Sequence, residues 1–339
     1  MNAQTAAPAA PPEIPAAAKP ASRRATADAT HAHSGWGALL AGLQRGFHPQ
    51  LLLAWVIMLW LPAAIAALPA ALWLYLEFGH SPMAAALAAK ADATFIANAL
   101  EGMQGEAVLL GACAVFALLV AVLLSPWLSG MIVAQIRTVY RLRVGGVVRA
   151  GLGEYSRMLR MLVFSGLLLA IAAAVGIAAM IGIESLVTRF APSPDDLAPS
   201  RIGWALPIVL VAFAHVTIEA GRGWLGADLA LNSVIQAWKR GIALLWKRPG
   251  ATLTVYIGTS LVGVGFAIAF LRLRAFVDAS GWTGWLLAFA CTQLVVASMA
   301  WGRSARLHGL ADLATAQLVA PPEDNDADSN PEAPRADTD

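Results

Sequence analysis

His215, Glu219 and Arg222 stand at i, i+4 and i+7 near the end of an apolar run. At that spacing they fall within about 60° of one another on a helical wheel and share one face. Ionisable groups at membrane depth are costly and often serve as proton relays or anion sites. The residue types allow both, since a proton can pass between an imidazole and a carboxylate, and a guanidinium can hold an anion. They also allow a structural reading, in which Glu219 accepts from His215 and Arg222 while the arginine reaches toward headgroups. A His and a Glu four apart need further ligands to hold a metal, and no other apolar run supplies them, so no metal site is expected. No cofactor and no catalytic residue are expected either, because no run carries a phosphate loop or a nucleophile and base at diagnostic spacing. Gly258, Gly263 and Gly265 lack a following Lys-Ser/Thr pair and read as packing or bending points. Gln135, and Thr292 with Gln293, are polar groups suited to interhelical hydrogen bonds worth ~0.6 to 2 kcal/mol each.

The elements that must position these residues follow from composition. Of 339 residues, 58% are hydrophobic and 13% charged, against about 25% charged in an ordinary soluble domain. Uncharged runs are long enough to cross hydrocarbon, which takes about 20 helical residues. The fold class is therefore all-α, a polytopic bundle of six transmembrane helices. Cys113 and Cys291 both lie in apolar runs and read as small hydrophobes.

The six spans are residues 46–76 with Pro62 and Pro69 as kinks, a span within 107–136 with Pro126, then 161–183, 202–218, 249–271 and 279–302. In the third, Gly166, Ala170, Ala174, Ala178 and Gly182 recur every four positions, a ridge that lets a neighbouring helix approach closely, or else a by-product of an Ala-rich sequence. Segments 78–106 and 184–201 read as external. A last short helix, 304–318, leads to the tail. Residues 1–34, rich in Ala and Pro, and 319–339, acidic, are expected to be disordered, with 35–318 as the one membrane domain. His31 and His33 read as solvated tail residues.

Lys and Arg set the orientation. Placing both termini and the second and fourth connections in the cytoplasm puts 18 of the 23 basic residues there and leaves Lys90, Arg189, Arg201, Arg272 and Arg274 outside. Residues 321–339 hold seven acidic groups against Arg335, so the remainder has 22 basic and 14 acidic residues. That excess suits a cytoplasmic membrane face and needs no nucleic acid. From Gly226 to Lys247 the chain reads as an amphipathic segment, with Leu229, Val234, Trp238 and Trp246 among Lys239, Arg240 and Lys247. Its apolar side would sink into the headgroup boundary with its cations on anionic lipid, or dock on a protein partner.

The even spans end alike at Arg137, Arg222 and Arg303, and each odd span follows a similar short segment, 39–43, 147–151 and 234–238. Three units of an amphipathic helix and two spans would cover 36–303. Short matches in apolar sequence also arise by chance, so both readings stand.

With these spans, the Gly-Arg endings and the segment Gly-Val-Val-Arg-Ala-Gly-Leu-Gly-Glu-Tyr at 146–155, the chain resembles bacterial six-helix inner-membrane proteins with amphipathic helices before the odd spans. The layout is similar to the membrane domain attached to some glycerophosphodiester phosphodiesterases. The resemblance covers 36–318; nothing matches the phosphodiesterase catalytic domain, so it implies no activity or site residue. The expected function is non-catalytic, a structural or accessory component of a bacterial inner membrane that contacts anionic lipid or a cytoplasmic partner. The alternative is a small-solute or lipid transporter with its site at the repeat interface.

Overall fold

In the computed structural model the described residues are 34–80, 97, 101–138, 142–190, 203–278 and 281–319. The two tails with His31 and His33, most of the 78–106 segment and residues 191–202 lie outside them, as do the expectations placed there.

Among the described residues nine α-helices follow one another in a fixed rhythm of one short and two long. They are α1 (Gly35–Gly46), α2 (Pro49–Phe78), α3 (Ala107–Arg137), α4 (Val144–Gly153), α5 (Tyr155–Phe190), α6 (Ala205–Ala227), α7 (Val234–Lys247), α8 (Pro249–Phe276) and α9 (Gly281–Val319). Local chemistry explains their starts. The Ser34 hydroxyl accepts from the Gly37 amide at 3.0 Å and caps α1, and Ser233 does the same for α7 with Gln236. Pro49 and Pro249 open α2 and α8 in the first turn, where a missing N–H costs nothing. All six long helices are long and apolar enough to span a bilayer, and the chain is an all-α, multi-pass membrane protein.

The three units close into a ring. Each short helix packs on the last span of the preceding unit, α4 on α3, α7 on α6, and α1 on α9. Glycine makes each crossing close. A Cβ on Gly151 would meet Met131, one on Gly241 would stand 2.5 Å from the Gly221 nitrogen, and one on Gly46 would stand 2.5 Å from the Ala305 backbone. An ion pair accompanies each crossing: Arg137 with Glu154 at 2.8 Å, Arg240 with Asp228 at 2.6 Å and Arg45 with Asp312 at 2.8 Å. The repeat legible as short sequence matches is thus a repeat of architecture.

Burial is concentrated at the end that carries the short helices. Leu51, Trp55, Met131, Ile132 and Leu307 pack around α4, Met161, Leu225 and Ala237 around α7, and Leu39, Val255 and Leu310 around α1. Toward the other end, Leu72 and Tyr75 of α2, Val108 of α3 and Phe276 of α8 are exposed, an apolar surface suited to hydrocarbon.

Four local expectations change. The sixth span does not stop at Gly302: α9 runs unbroken to Val319, and Leu307, Leu310, Leu313 and Ala314 are fully buried. No Pro lies between Gly302 and Val319, and the residues that could end the helix are held by packing, Gly309 against Ala38 and Val255 and Asp312 by Arg45, so the helix continues through the buried end of the bundle. The segment from Gly226 to Lys247 is broken at Asp228, whose carboxylate accepts from the Ala230 amide, and only α7 is the amphipathic helix. The buried side of α7, Val234, Ala237, Gly241, Leu244 and Leu245, faces the protein, whereas Trp246 is exposed. The ridge of Gly166, Ala170, Ala174, Ala178 and Gly182 points outward; α5 instead approaches α6 through Gly176, where a Cβ would stand 2.5 Å from Pro207. The period of four came from Ala content, while the packed face, with Met161, Ser165 and Gly176, lies about half a turn away.

Candidate functional site

Glu219 is the centre of the polar cluster. It lies on α6 with no exposed surface, and both carboxylate oxygens are taken. Arg222, one turn on, donates through Nη1 to Oε1, and Arg306 of α9 donates through Nε to Oε2 at 3.0 Å. Arg222 also reaches Ser165 Oγ of α5 at 3.3 Å. Arg306 reaches Ser260 Oγ of α8 at 3.0 Å and lies 5.1 Å over the Tyr256 ring. A fully buried carboxylate is tolerable only with charge-assisted donors of this kind.

His215 shares the helix face with Glu219 and Arg222 but takes a different partner. Its Nδ1 lies 2.7 Å from the Tyr256 hydroxyl of α8, with the rings edge to face. The expected acceptance by Glu219 from both His215 and Arg222 is therefore half met: Arg222 donates, and the second donor is Arg306. Sequence reading missed Arg303 and Arg306 because it ended the membrane helix there. The available signal was the absence of proline between Gly302 and Leu318.

Arg303 completes the cluster from one turn before Arg306. Its Nη2 donates to Ser129 Oγ of α3 at 3.0 Å, and its guanidinium lies 5.9 Å over the Trp55 ring of α2. Its buried Nε has no hydrogen-bond partner among the described residues. Three arginines thus face one carboxylate.

The depth of this cluster follows from its partners. Ser260 is eleven residues into α8, about 16 Å along the axis, and Gly263, packed against Gly302 beside Arg303, is about 21 Å along. Along the other helices the cluster lies nearer the short-helix end: Trp55 is six residues into α2, about 9 Å, and Arg222 five residues before the end of α6, about 8 Å.

Two spaces meet at these arginines. One is a polar cavity of about 240 Å³ among α3, α5, α6 and α9, lined by Ser125, Ser165, His215, Glu219 and all three arginines. The other is a groove of about 430 Å³ between α2, α8 and α9 with Leu59, Val264, Val296 and Met299 on its walls; it shares Arg303 and Arg306 with the first. A third groove, about 620 Å³ beside Phe213, Trp246 and Leu253, has no cation. The arrangement can bind and orient an anion. Among the described residues no group of three or more His, Cys, Asp or Glu side chains could hold a metal ion.

The other polar residues singled out in the sequence divide. Gln293 accepts from Trp60 Nε1 at 2.8 Å and links α9 to α2. Gln135 is buried. Thr292 is exposed and donates to Ala288 O within its own helix. Gly263 packs on Gly302 and Gly258 on Leu39, whereas a Cβ on Gly265 would meet nothing. Comparison with protein-family models, with curated proteins and with solved structures finds no match to this chain.

Proposed function

We propose that the protein is a non-catalytic component of a bacterial inner membrane, with both termini cytoplasmic, that gathers anionic lipid at its basic face and presents that face to a cytoplasmic partner. One observation carries this reading. The end of the bundle with the short helices holds exposed Arg45, Arg143, Arg149, Arg160, Lys239 and Lys247, while the described basic residues at the other end are Arg189, Arg272 and Arg274. Cations at a headgroup surface attract anionic lipid by about 1 kcal/mol each, and such a bias marks the cytoplasmic side. The buried side of α7 is covered by its own chain, so α7 offers lipid or a partner its basic side and Trp246. To test this reading, the full chain is reconstituted in nanodiscs of mixed phosphatidylglycerol and phosphatidylcholine, and the lipids retained on gentle extraction are counted. Substitution of Arg149, Arg160, Lys239 and Lys247 by Gln should deplete phosphatidylglycerol from the retained set; an unchanged ratio refutes the reading.

The arginine-lined cavity favours a second reading, transport of a small solute or lipid, because transporters of repeated architecture place their sites between repeats. Flux in reconstituted vesicles that Glu219→Gln abolishes would establish it, and vesicles with no flux above protein-free controls would exclude it.

A further inference from the structure

We propose that the cavity and groove meeting at Arg303 and Arg306 form a site for one anionic glycerophospholipid, held by its phosphate inside the bundle. This deepens the reading of the protein as a binder of anionic lipid and rests on it.

Charge is the first argument. Glu219 spends both oxygens on Arg222 and Arg306, which leaves Arg303 with only a serine hydroxyl, a tryptophan face and an Nε that finds no acceptor. Arginine does not shed its proton. Three guanidiniums against one carboxylate carry an excess of two positive charges among largely buried side chains. Arg303 and Arg306 lie one turn apart on the same helix, neighbours that repel unless an anion stands between them. A phosphomonoester carries about −1.5 to −2 charge, which matches the excess.

Donor chemistry is the second. Guanidinium forks bind phosphate oxygens in pairs, and the hydroxyls of Ser129 and Ser260 already stand 3.0 Å from Arg303 and Arg306. The Ser129 hydroxyl can turn its proton to a phosphate oxygen and keep its lone pairs toward Arg303, while Ser260, which donates to the Tyr256 carbonyl at 2.6 Å, holds Arg306 in place.

Shape is the third, and it separates a lipid from free phosphate. The groove that shares the two arginines is walled by Leu59, Val296 and Met299, and Val264 and Met299 are 42% and 51% exposed on the apolar flank of the bundle. It therefore opens sideways to acyl chains. A free anion would leave that space to hydrocarbon with no use for its polar end, whereas a phospholipid fills both. The larger groove by Trp246 could take a tail but offers a phosphate no cation.

The test uses the full chain in detergent, titrated by native mass spectrometry with phosphatidate, with phosphatidylcholine of the same chains and with inorganic phosphate. The expected result is one phosphatidate per chain, preferred over phosphatidylcholine by roughly tenfold or more, the scale of one lost charge-assisted bond. Arg303→Gln leaves the Arg222–Glu219–Arg306 set intact and should remove that preference. Val264→Trp, which fills the groove without touching an arginine, should block phosphatidate as well, and it keeps the proposal open to refutation if Arg303→Gln does not fold. Equal binding of both lipids, or full phosphatidate binding by a folded Arg303→Gln or Val264→Trp protein, overturns the proposal, the last in favour of a free-anion site if inorganic phosphate competes. Lys239→Gln with Lys247→Gln should leave the single lipid in place. Loss of that lipid in this variant alone would overturn the intramembrane site and leave surface binding standing.

Discussion

Glu219 of α6 and Arg306 of α9 meet at 3.0 Å and join the second unit of the ring to the third inside the bundle. Truncating one partner of a buried pair leaves the other charge uncompensated, typically at about 3 to 5 kcal/mol. Arg306→Met should therefore destabilise the chain by an amount in that range. Replacing both, Glu219→Gln with Arg306→Met, should recover part of the loss, since it removes the orphaned carboxylate. Thermal unfolding of the purified variants in one detergent checks this; a double variant less stable than the single one would contradict it.

Gly263 and Gly265 lie two residues apart on α8 yet meet opposite surroundings. A Cβ on Gly263 would stand 2.9 Å from the Gly302 backbone, while one on Gly265 would touch nothing. Backbone cannot yield as a side chain can, so Gly263→Ala should cost ~1 to 3 kcal/mol through forced separation of α8 and α9. Gly265→Ala should instead stabilise by about 0.5 to 1 kcal/mol, because alanine loses less freedom than glycine in a helix. The two unfolding midpoints, taken against wild type, should move in opposite directions.

These glycines show what a sequence can and cannot disclose here. Hydropathy carried the six spans, since a chain in hydrocarbon must satisfy its backbone by helices. The short-long-long rhythm was visible in residues 39–43, 147–151 and 234–238, but the ring closure of α1 on α9 depends on Gly42 and Gly46 meeting Ala305 and Gly309, a pairing of distant residues. The polar face of α6 was legible at His215, Glu219 and Arg222 from helical spacing alone. Arg303 and Arg306 were not, because an arginine after a long apolar run reads as the membrane boundary whether the helix stops or plunges on through a packed centre. The outward ridge of α5 failed for a related reason: periodicity reports a face, and tertiary contacts decide which face is used.

Asp228, at the end of α6 and outside the spans, accepts from Arg240 at 2.6 Å and from the Ala230 amide. The Arg240 hydrogen bond, with the amide behind it, holds its carboxyl below the usual carboxylate range. A depressed folded value means that its contribution is present above about pH 4, the unfolded value, and is lost as pH falls through the folded one. Because the pair is partly exposed, the gain is small, ~0.2 to 1 kcal/mol. Asp228→Asn should thus lower the unfolding midpoint slightly at neutral pH and converge with wild type in acid, a difference read from paired melts across the acid range.

The basic ends of the short helices and the ends of α8 and α5 lie at opposite poles of the bundle, which makes orientation a question of three side chains. Cysteine at Arg149 of α4 and at Lys247 of α7 should react with a membrane-impermeant maleimide only after the cell is opened, whereas cysteine at Arg272 of α8 should react in intact spheroplasts. The native Cys291 is buried and Cys113 half-buried within a span, so their replacement by Ala removes background with little change in packing volume. The pattern follows from the preference of Lys and Arg for the side from which translocation starts. Labelling of the Arg149 and Lys247 positions on opposite sides would break the ring of units, because α4 and α7 could not then both cap the same end of the bundle.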